Sequence, residues 1–141
     1  MIVLDASVAT KLFVAEVGSD AAARVVTRHP LLLAPALIAI EVTSAVARKA
    51  HTSDIDRAAA ERTLASWQEF LSLGNLQLTP DEAILSDATD HALTIGQPVA
   101  ACLYLSLAVR HGIALVTADA VFCDAARATG DIRLLGEFGG E

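Results

Sequence analysis

The sequence predicts an α/β fold with a parallel sheet, and three observations carry that expectation. Hydrophobic residues make up 54% of the 141 positions while aromatic residues make up only 4%. The core must therefore be assembled from Ala, Leu, Val and Ile, the material of helices packed on a buried parallel sheet. Short β-type runs recur between longer stretches of helical character. No internal repeat, linker or low-complexity tract interrupts them, so a single domain over residues 1–141 is expected, an ordinary length for one core.

Taken in order, the strands are expected at 2–4, 31–34, 76–79, 113–117 and 132–135, and the helices near 7–15, 19–28, 36–50, 54–73, 81–94, 99–111 and 120–129. Thr79-Pro80-Asp81-Glu82 offers an N-cap, a proline at the first helical position and a capping-box acid, and Ser53 with Asp56 offers a weaker version. Gly74, Gly112 and Gly130 read as C-terminal stops. The segment 99–111 is apolar nearly all round, with Ser106 as its main interruption, which predicts a central buried helix.

Ten basic residues stand against 17 acidic ones, a net charge of −7. That balance excludes a broad positive surface for nucleic acid, so any such contact must be local. Cys102 and Cys123 sit in apolar surroundings without CxxC spacing and are expected to be buried free thiols, consistent with a reducing cytoplasm. The start of the chain has no basic n-region, and the longest near-apolar run, 98–109, is too short to span a bilayer, so neither an export signal nor a membrane segment is expected. His29, His51, His91 and His111 lack ligand spacing and read as surface or helix-end histidines.

Three acids are placed where packing alone does not put them. Asp5 follows the apolar run Ile2, Val3, Leu4, and in open α/β sheets ligands bind at the carboxyl ends of the strands. Glu41 has Leu37, Ile38, Ser44 and Ala45 as its helical neighbours, which puts a charge on the apolar stripe. Asp119 lies just past the apolar strand in LVTAD. Each has a plainer reading: Asp5 as a strand terminator with Ser7 capping the next helix, Glu41 as a snorkelling side chain or a partner of Arg48 or Lys49, and Asp119 as an ordinary N-cap. Taken together, they can converge if the strands that begin at 2 and 113 are adjacent. Carboxylates gathered in a partly buried cleft raise one another's pKa unless a cation neutralises them. A site of oxygen ligands without histidine favours Mg2+ or Mn2+, ions suited to attack of an activated water on a phosphodiester. Ser7 and Thr117, each two residues from an aspartate, are candidates to hold the carboxylates or a bound water. Acyl-transfer chemistry has no support, since no nucleophile elbow is present. A receiver-type phosphotransfer domain would want an acidic pair at the first strand and a late lysine, and Lys49 is the last lysine.

The set MIVLDAS, PALIAIEVTSAVAR and CLYLSLAVRHGIALVTAD resembles a PIN domain, most closely the VapC group of toxin–antitoxin ribonucleases, from residue 1 to about 135. The resemblance implies a three-layer α/β fold with a parallel five-stranded sheet flanked by about seven helices. It further implies Mg2+- or Mn2+-dependent cleavage of RNA, a homodimer, and inhibition by a small cognate antitoxin. It assigns Asp5, Glu41 and Asp119 to three of the family's four acidic metal-site positions. The fourth, three residues before the tyrosine of the LYLSLA-like stretch, is Ala101 here, and no Asp or Glu occurs between Asp90 and Asp119. Asp124 is the nearest replacement by sequence. Activity is therefore expected to be weakened, and the competing reading is a module that binds antitoxin or RNA without cutting. Lys11, Arg48 and Lys49 are candidate phosphate guides. An arginine from an antitoxin suits an acidic pocket, and an apolar groove for that partner is expected around Leu12, Phe13 and Val14.

Overall fold

In the computed structural model, which describes residues 1–138, every strand joins one parallel sheet. The elements follow in the order β1 (Ile2–Leu4), α1 (Ala6–Phe13), α2 (Ser19–Arg28), β2 (Leu32–Pro35), α3 (Ile38–His51), α4 (Arg57–Ser72), β3 (Leu76–Thr79), a 3-10 turn (Asp81–Ala83), α5 (Leu85–Ile95), α6 (Val99–His111), β4 (Leu115–Thr117), α7 (Ala120–Ala126), β5 (Ile132–Leu134) and α8 (Leu135–Phe138). The three-layer α/β expectation holds, with eight helices where about seven were expected; the extra one is the short α8.

The sheet order is β3-β2-β1-β4-β5. The chain builds outward from β1 through β2 and β3, then returns to place β4 on the other side of β1. The order reverses between β1 and β4, and in such sheets the crevice past the carboxyl ends at that reversal is where ligands bind. The register pairs Val3 with Leu115 and Leu4 with Val116. Asp5 donates its backbone N–H to the Val116 carbonyl at 3.1 Å, so it emerges beside Thr117.

The three central strands run as continuous apolar segments because both faces are covered: Ile2–Leu4, Leu32–Ala34 and Leu115–Val116 are all buried. α6 packs against β1, β2 and β4 and is buried from Cys102 to Ala108, as its all-round apolarity requires. Its buried serine, Ser106, is met by His91 Nδ1 at 2.9 Å across the α5–α6 contact. His91 is therefore partly buried and paired with Ser106. His51 and His111 do lie in the last turns of α3 and α6. Both cysteines are buried free thiols. Among the described residues no single helix is long and apolar enough to cross a membrane.

Several local expectations are corrected. Thr79 ends β3, and Asp81 opens a 3-10 turn; its Oδ1 accepts the Leu37 N–H at 3.0 Å, so the acid caps the start of α3 instead of its own helix. The N-cap of α4 is Asp56, which accepts from Ala59, while Ser53 occupies a left-handed turn at φ 62°. α5 stops at Gly96, in the left-handed conformation at φ 69°, a stop the sequence reading passed over. Of the residues expected to border a partner groove, Leu12 and Phe13 are partly buried and packed against the core. Phe13 sits edge-on to Trp67 and Phe70 at centroid distances of 5.4 and 5.5 Å, and Val14 is buried. Phe13 thus joins an aromatic cluster on α4, while Val14 packs with Val46 and Ala60.

Candidate active site

Asp5 leaves β1 in extended backbone (φ −74°, ψ 149°) and is itself the N-cap of α1. Its Oδ2 accepts the Ser7 N–H at 3.1 Å, the Ser7 hydroxyl through a short bond, and the Thr117 hydroxyl at 3.2 Å. Ser7 is thus the second residue of α1 instead of its cap. The Ser7 hydroxyl oxygen accepts the Ala118 N–H at 3.0 Å, and Thr117 Oγ1 accepts the Asp119 N–H at 3.1 Å. These two hydroxyls stitch the end of β1 to the end of β4. Thr117 is fully buried, so its hydroxyl must be used, and it is used on both sides.

Asp119 caps α7 by accepting the Phe122 N–H on Oδ1 at 3.0 Å. Glu41, in the first turn of α3, is half-buried and accepts the Tyr104 hydroxyl on Oε1 at 2.6 Å. Tyr104 is buried within α6, so the bond ties the central helix to α3 across the site.

The three acids share one pattern. Each commits one carboxylate oxygen to a hydrogen bond that fixes its orientation: Oδ2 of Asp5, Oε1 of Glu41 and Oδ1 of Asp119. Among the described residues the other oxygen of each has no protein donor.

The electrostatics bind these acids into a series. Burial pushes the Asp5 carboxyl above its ordinary value; hydrogen bonds from Ser7 and Thr117 act against that shift, and the Asp119 charge adds to it. Burial likewise raises Glu41, the Tyr104 hydroxyl acts against it, and the charges of Asp5 and Asp81 add to it. Burial first, then the bond to Glu41, push the Tyr104 phenol above its usual range, so Tyr104 remains a donor. The order of influence is Asp119 on Asp5, Asp5 on Glu41, and Asp81 on Glu41. Among the described residues no three His, Cys, Asp or Glu side chains close around a common point as a ready-made metal cage. The donors are nonetheless oxygens throughout, the chemistry that suits a hard divalent ion.

Ala101 is partly buried in the first turn of α6 and lies one turn before Tyr104 on the same helical face. Asp124, considered as a substitute for the missing acid, is turned elsewhere: its side chain is 80% exposed and lies 3.9 Å from Arg127. Asp81 and Tyr104 were missed as site residues from sequence. Asp81 resembled a helix cap, and Tyr104 is embedded in an apolar run that gives no hint of its hydroxyl's partner.

On one flank the site opens into a cleft of about 390 Å3 lined by Ser7, Lys11, Glu16, Arg48, Lys49 and Ala118, among others. Ala45, Arg48 and Lys49 follow Glu41 at helical spacings of four, seven and eight, so they continue its face along α3. The three candidate phosphate guides are therefore brought together.

No curated protein matches the chain. The family model described as PIN domain matches residues 2–128, covering β1 through α7 and both sheet-end aspartates. PIN domains are generally metal-dependent nucleases that typically use Mg2+ or Mn2+. With the strand reversal, the acids beside it and this match together, the chain belongs to the PIN domain family.

Proposed function

We propose that this chain is a Mg2+- or Mn2+-dependent endoribonuclease of the VapC toxin kind, a single cytoplasmic domain over residues 1–141 that acts as a homodimer, is held in check by a cognate antitoxin, and is weakened by Ala101. The observation that supports it is the shared pattern of Asp5, Glu41 and Asp119 at the sheet reversal, each locked through one oxygen and open at the other. Those three would hold the ion. When bound, it would supply an activated water and neutralise charge on the scissile phosphate. Ser7 and Thr117 keep Asp5 aimed, Tyr104 keeps Glu41 aimed, and the cations of the adjacent cleft attract the RNA backbone to a protein that is negative elsewhere. Antitoxin inhibition follows from the same charges, since a partner arginine makes bidentate contacts with exposed carboxylate oxygens.

The test is RNA hydrolysis with Mn2+ by this chain, by Ala101→Asp and by Asp5→Asn. The proposal expects weak cleavage by the first, stronger cleavage by the second and none by the third. No cleavage by either this chain or Ala101→Asp would end the nuclease reading. The second reading, a module that binds RNA or antitoxin without cutting, is favoured by one observation: no three acids close on one point among the described residues. Calorimetry separates the two, because tight Mn2+ binding belongs to the nuclease alone.

A further inference from the structure

Two lysines in the cleft beside the acids share a single counter-ion. Glu16 Oε2 lies 2.9 Å from Lys49 Nζ, and Glu16 Oε1 lies 3.2 Å from Lys11 Nζ. The side chains are 28, 24 and 17% exposed for Lys49, Glu16 and Lys11, so this is an enclosed arrangement and not a pair of loose surface contacts. The lysines come from α1 and α3, whereas Glu16 sits on the connection between α1 and α2. Lys11 is held further by its bond to the Val17 carbonyl at 2.8 Å. Its stem runs over Gly18, where an added Cβ would come 3.2 Å from Lys11 Cδ. The cations are thus fixed by helices and packing, and the anion is carried by a loop.

The surroundings also point to a ligand. The cleft lining carries Lys11, Arg48 and Lys49 against Glu16 and Asp54, an excess of positive charge on a chain of net charge −7. Arg48 is exposed and has no ion-pair partner among the described residues. Ser7 lines the cleft and also bonds Asp5, so a chain lying in the cleft continues onto the acids. An internal phosphodiester carries one negative charge over two non-bridging oxygens, as a carboxylate does. It can take the place of Glu16 oxygen for oxygen, presenting the same single negative charge to the lysine pair.

We propose that Lys11 and Lys49 form a two-point subsite for one backbone phosphate of single-stranded RNA, and that the Glu16 carboxylate occupies this subsite until RNA displaces it. The choice of RNA rests on the nuclease reading above. Glu16 then acts as a built-in competitor that sets how tightly the cleft holds RNA, its side chain turning aside when substrate enters while the backbone stays bonded to Ser19.

The experiment measures binding of a short fluorescein-labelled single-stranded RNA in EDTA, where hydrolysis plays no part, by anisotropy over a range of salt. Glu16→Gln keeps the shape and removes the charge. It is expected to bind about five-fold more tightly than the unaltered chain, the scale of a partly enclosed ion pair. Its log affinity should fall more steeply with log salt by about 0.7, the increment for one more phosphate neutralised on a single strand. Glu16→Gln/Lys49→Met should lose both gains. Lys49→Met alone should weaken binding, which keeps the test decisive if Glu16→Gln fails to fold. Unchanged or weaker binding by folded Glu16→Gln, unchanged binding by Lys49→Met, or no RNA binding by any form overturns the subsite. Tighter binding by Glu16→Gln in a protein that cleaves no RNA with Mn2+ leaves the subsite standing and removes the nuclease reading, whereas cleavage without an effect at Glu16 does the reverse.

Discussion

Replacing Tyr104 by phenylalanine isolates one hydroxyl. That hydroxyl donates to Glu41 Oε1 at 2.6 Å, the length of a charge-assisted O–H···O− bond. The ring is buried and stays in place, so the variant removes a donor without opening a cavity larger than one oxygen. Hydrogen bonds to charged groups contribute about 1.5–3 kcal/mol when enclosed. Glu41 is half-buried and its carboxylate can turn to water after the loss, so we expect about 1 kcal/mol, or a Tm lower by about 3–5 °C for a chain of this length.

The effect on a bound ion should be larger. Losing a partner that orients a ligating group typically weakens metal affinity about 10- to 100-fold, and Tyr104→Phe should bind Mn2+ about 10-fold more weakly by calorimetry. The sign of the pH effect follows from the same bond. Burial raises Glu41, the Tyr104 hydroxyl opposes that, and Asp5 and Asp81 reinforce it. Removing the hydroxyl leaves only the raising influences, so the pH at which Mn2+ binding reaches half its maximum should move upward. A lower Tm with unchanged Mn2+ affinity and pH profile would reduce Tyr104 to a packing residue and refute the positioning argument.

Asp5→Asn should abolish hydrolysis yet stabilise the fold at neutral pH. Asparagine caps as well as aspartate, and the raised carboxyl of Asp5 means that its charged form is disfavoured in the folded state. The gain should be absent below the ordinary value of 3.8, where both side chains are neutral, and should grow as pH climbs through the raised folded value; thermal melts across that range check it. Thr117→Val leaves the Asp119 N–H and one lone pair of Asp5 without their buried hydroxyl, and chemical denaturation should show a loss of about 1–3 kcal/mol. Ala101→Asp adds a like charge near Glu41, so it should lower the Tm in EDTA; with Mn2+ at about 100-fold above its Kd it should gain about 2.7 kcal/mol, more than the unaltered chain gains at the same concentration. An equal response to Mn2+ in both proteins would detach position 101 from the ion.

The sheet and the long helices were legible because their signals are local. Ile2–Leu4 is read as a strand from its own side chains, and 99–111 as a buried helix from the absence of a polar face. The three acids were legible because each broke an apolar pattern. What failed depended on distant partners. Asp81 has the sequence of a helix cap, yet the N–H it caps belongs to Leu37, 44 residues away. Phe13 resembled a docking side chain until α4 supplied Trp67 and Phe70 to cover it. The Tyr104–Glu41 bond spans 63 residues, and no spacing rule reaches that far.

The plain and the functional readings of Asp5 and Asp119 look exclusive in the sequence, and the structure removes the conflict. A carboxylate has two oxygens. At both sheet ends one oxygen caps a helix, which fixes the side chain, and the other is left over for chemistry. Burial raises Asp5 and Glu41, and the two lysines of the cleft, Lys11 and Lys49, are paired with Glu16 and not with these acids. A fold that paired its acids internally would be more stable and would have nothing with which to hold an ion. Here the repulsion between Asp119, Asp5, Glu41 and Asp81 is left standing, and the charge that would relieve it must come from outside the chain, as a divalent cation or as an arginine from a partner. On the proposed reading both occupants would meet the same unpaired oxygens, so a partner arginine should compete with Mn2+, and calorimetric Mn2+ titrations with and without the partner check this.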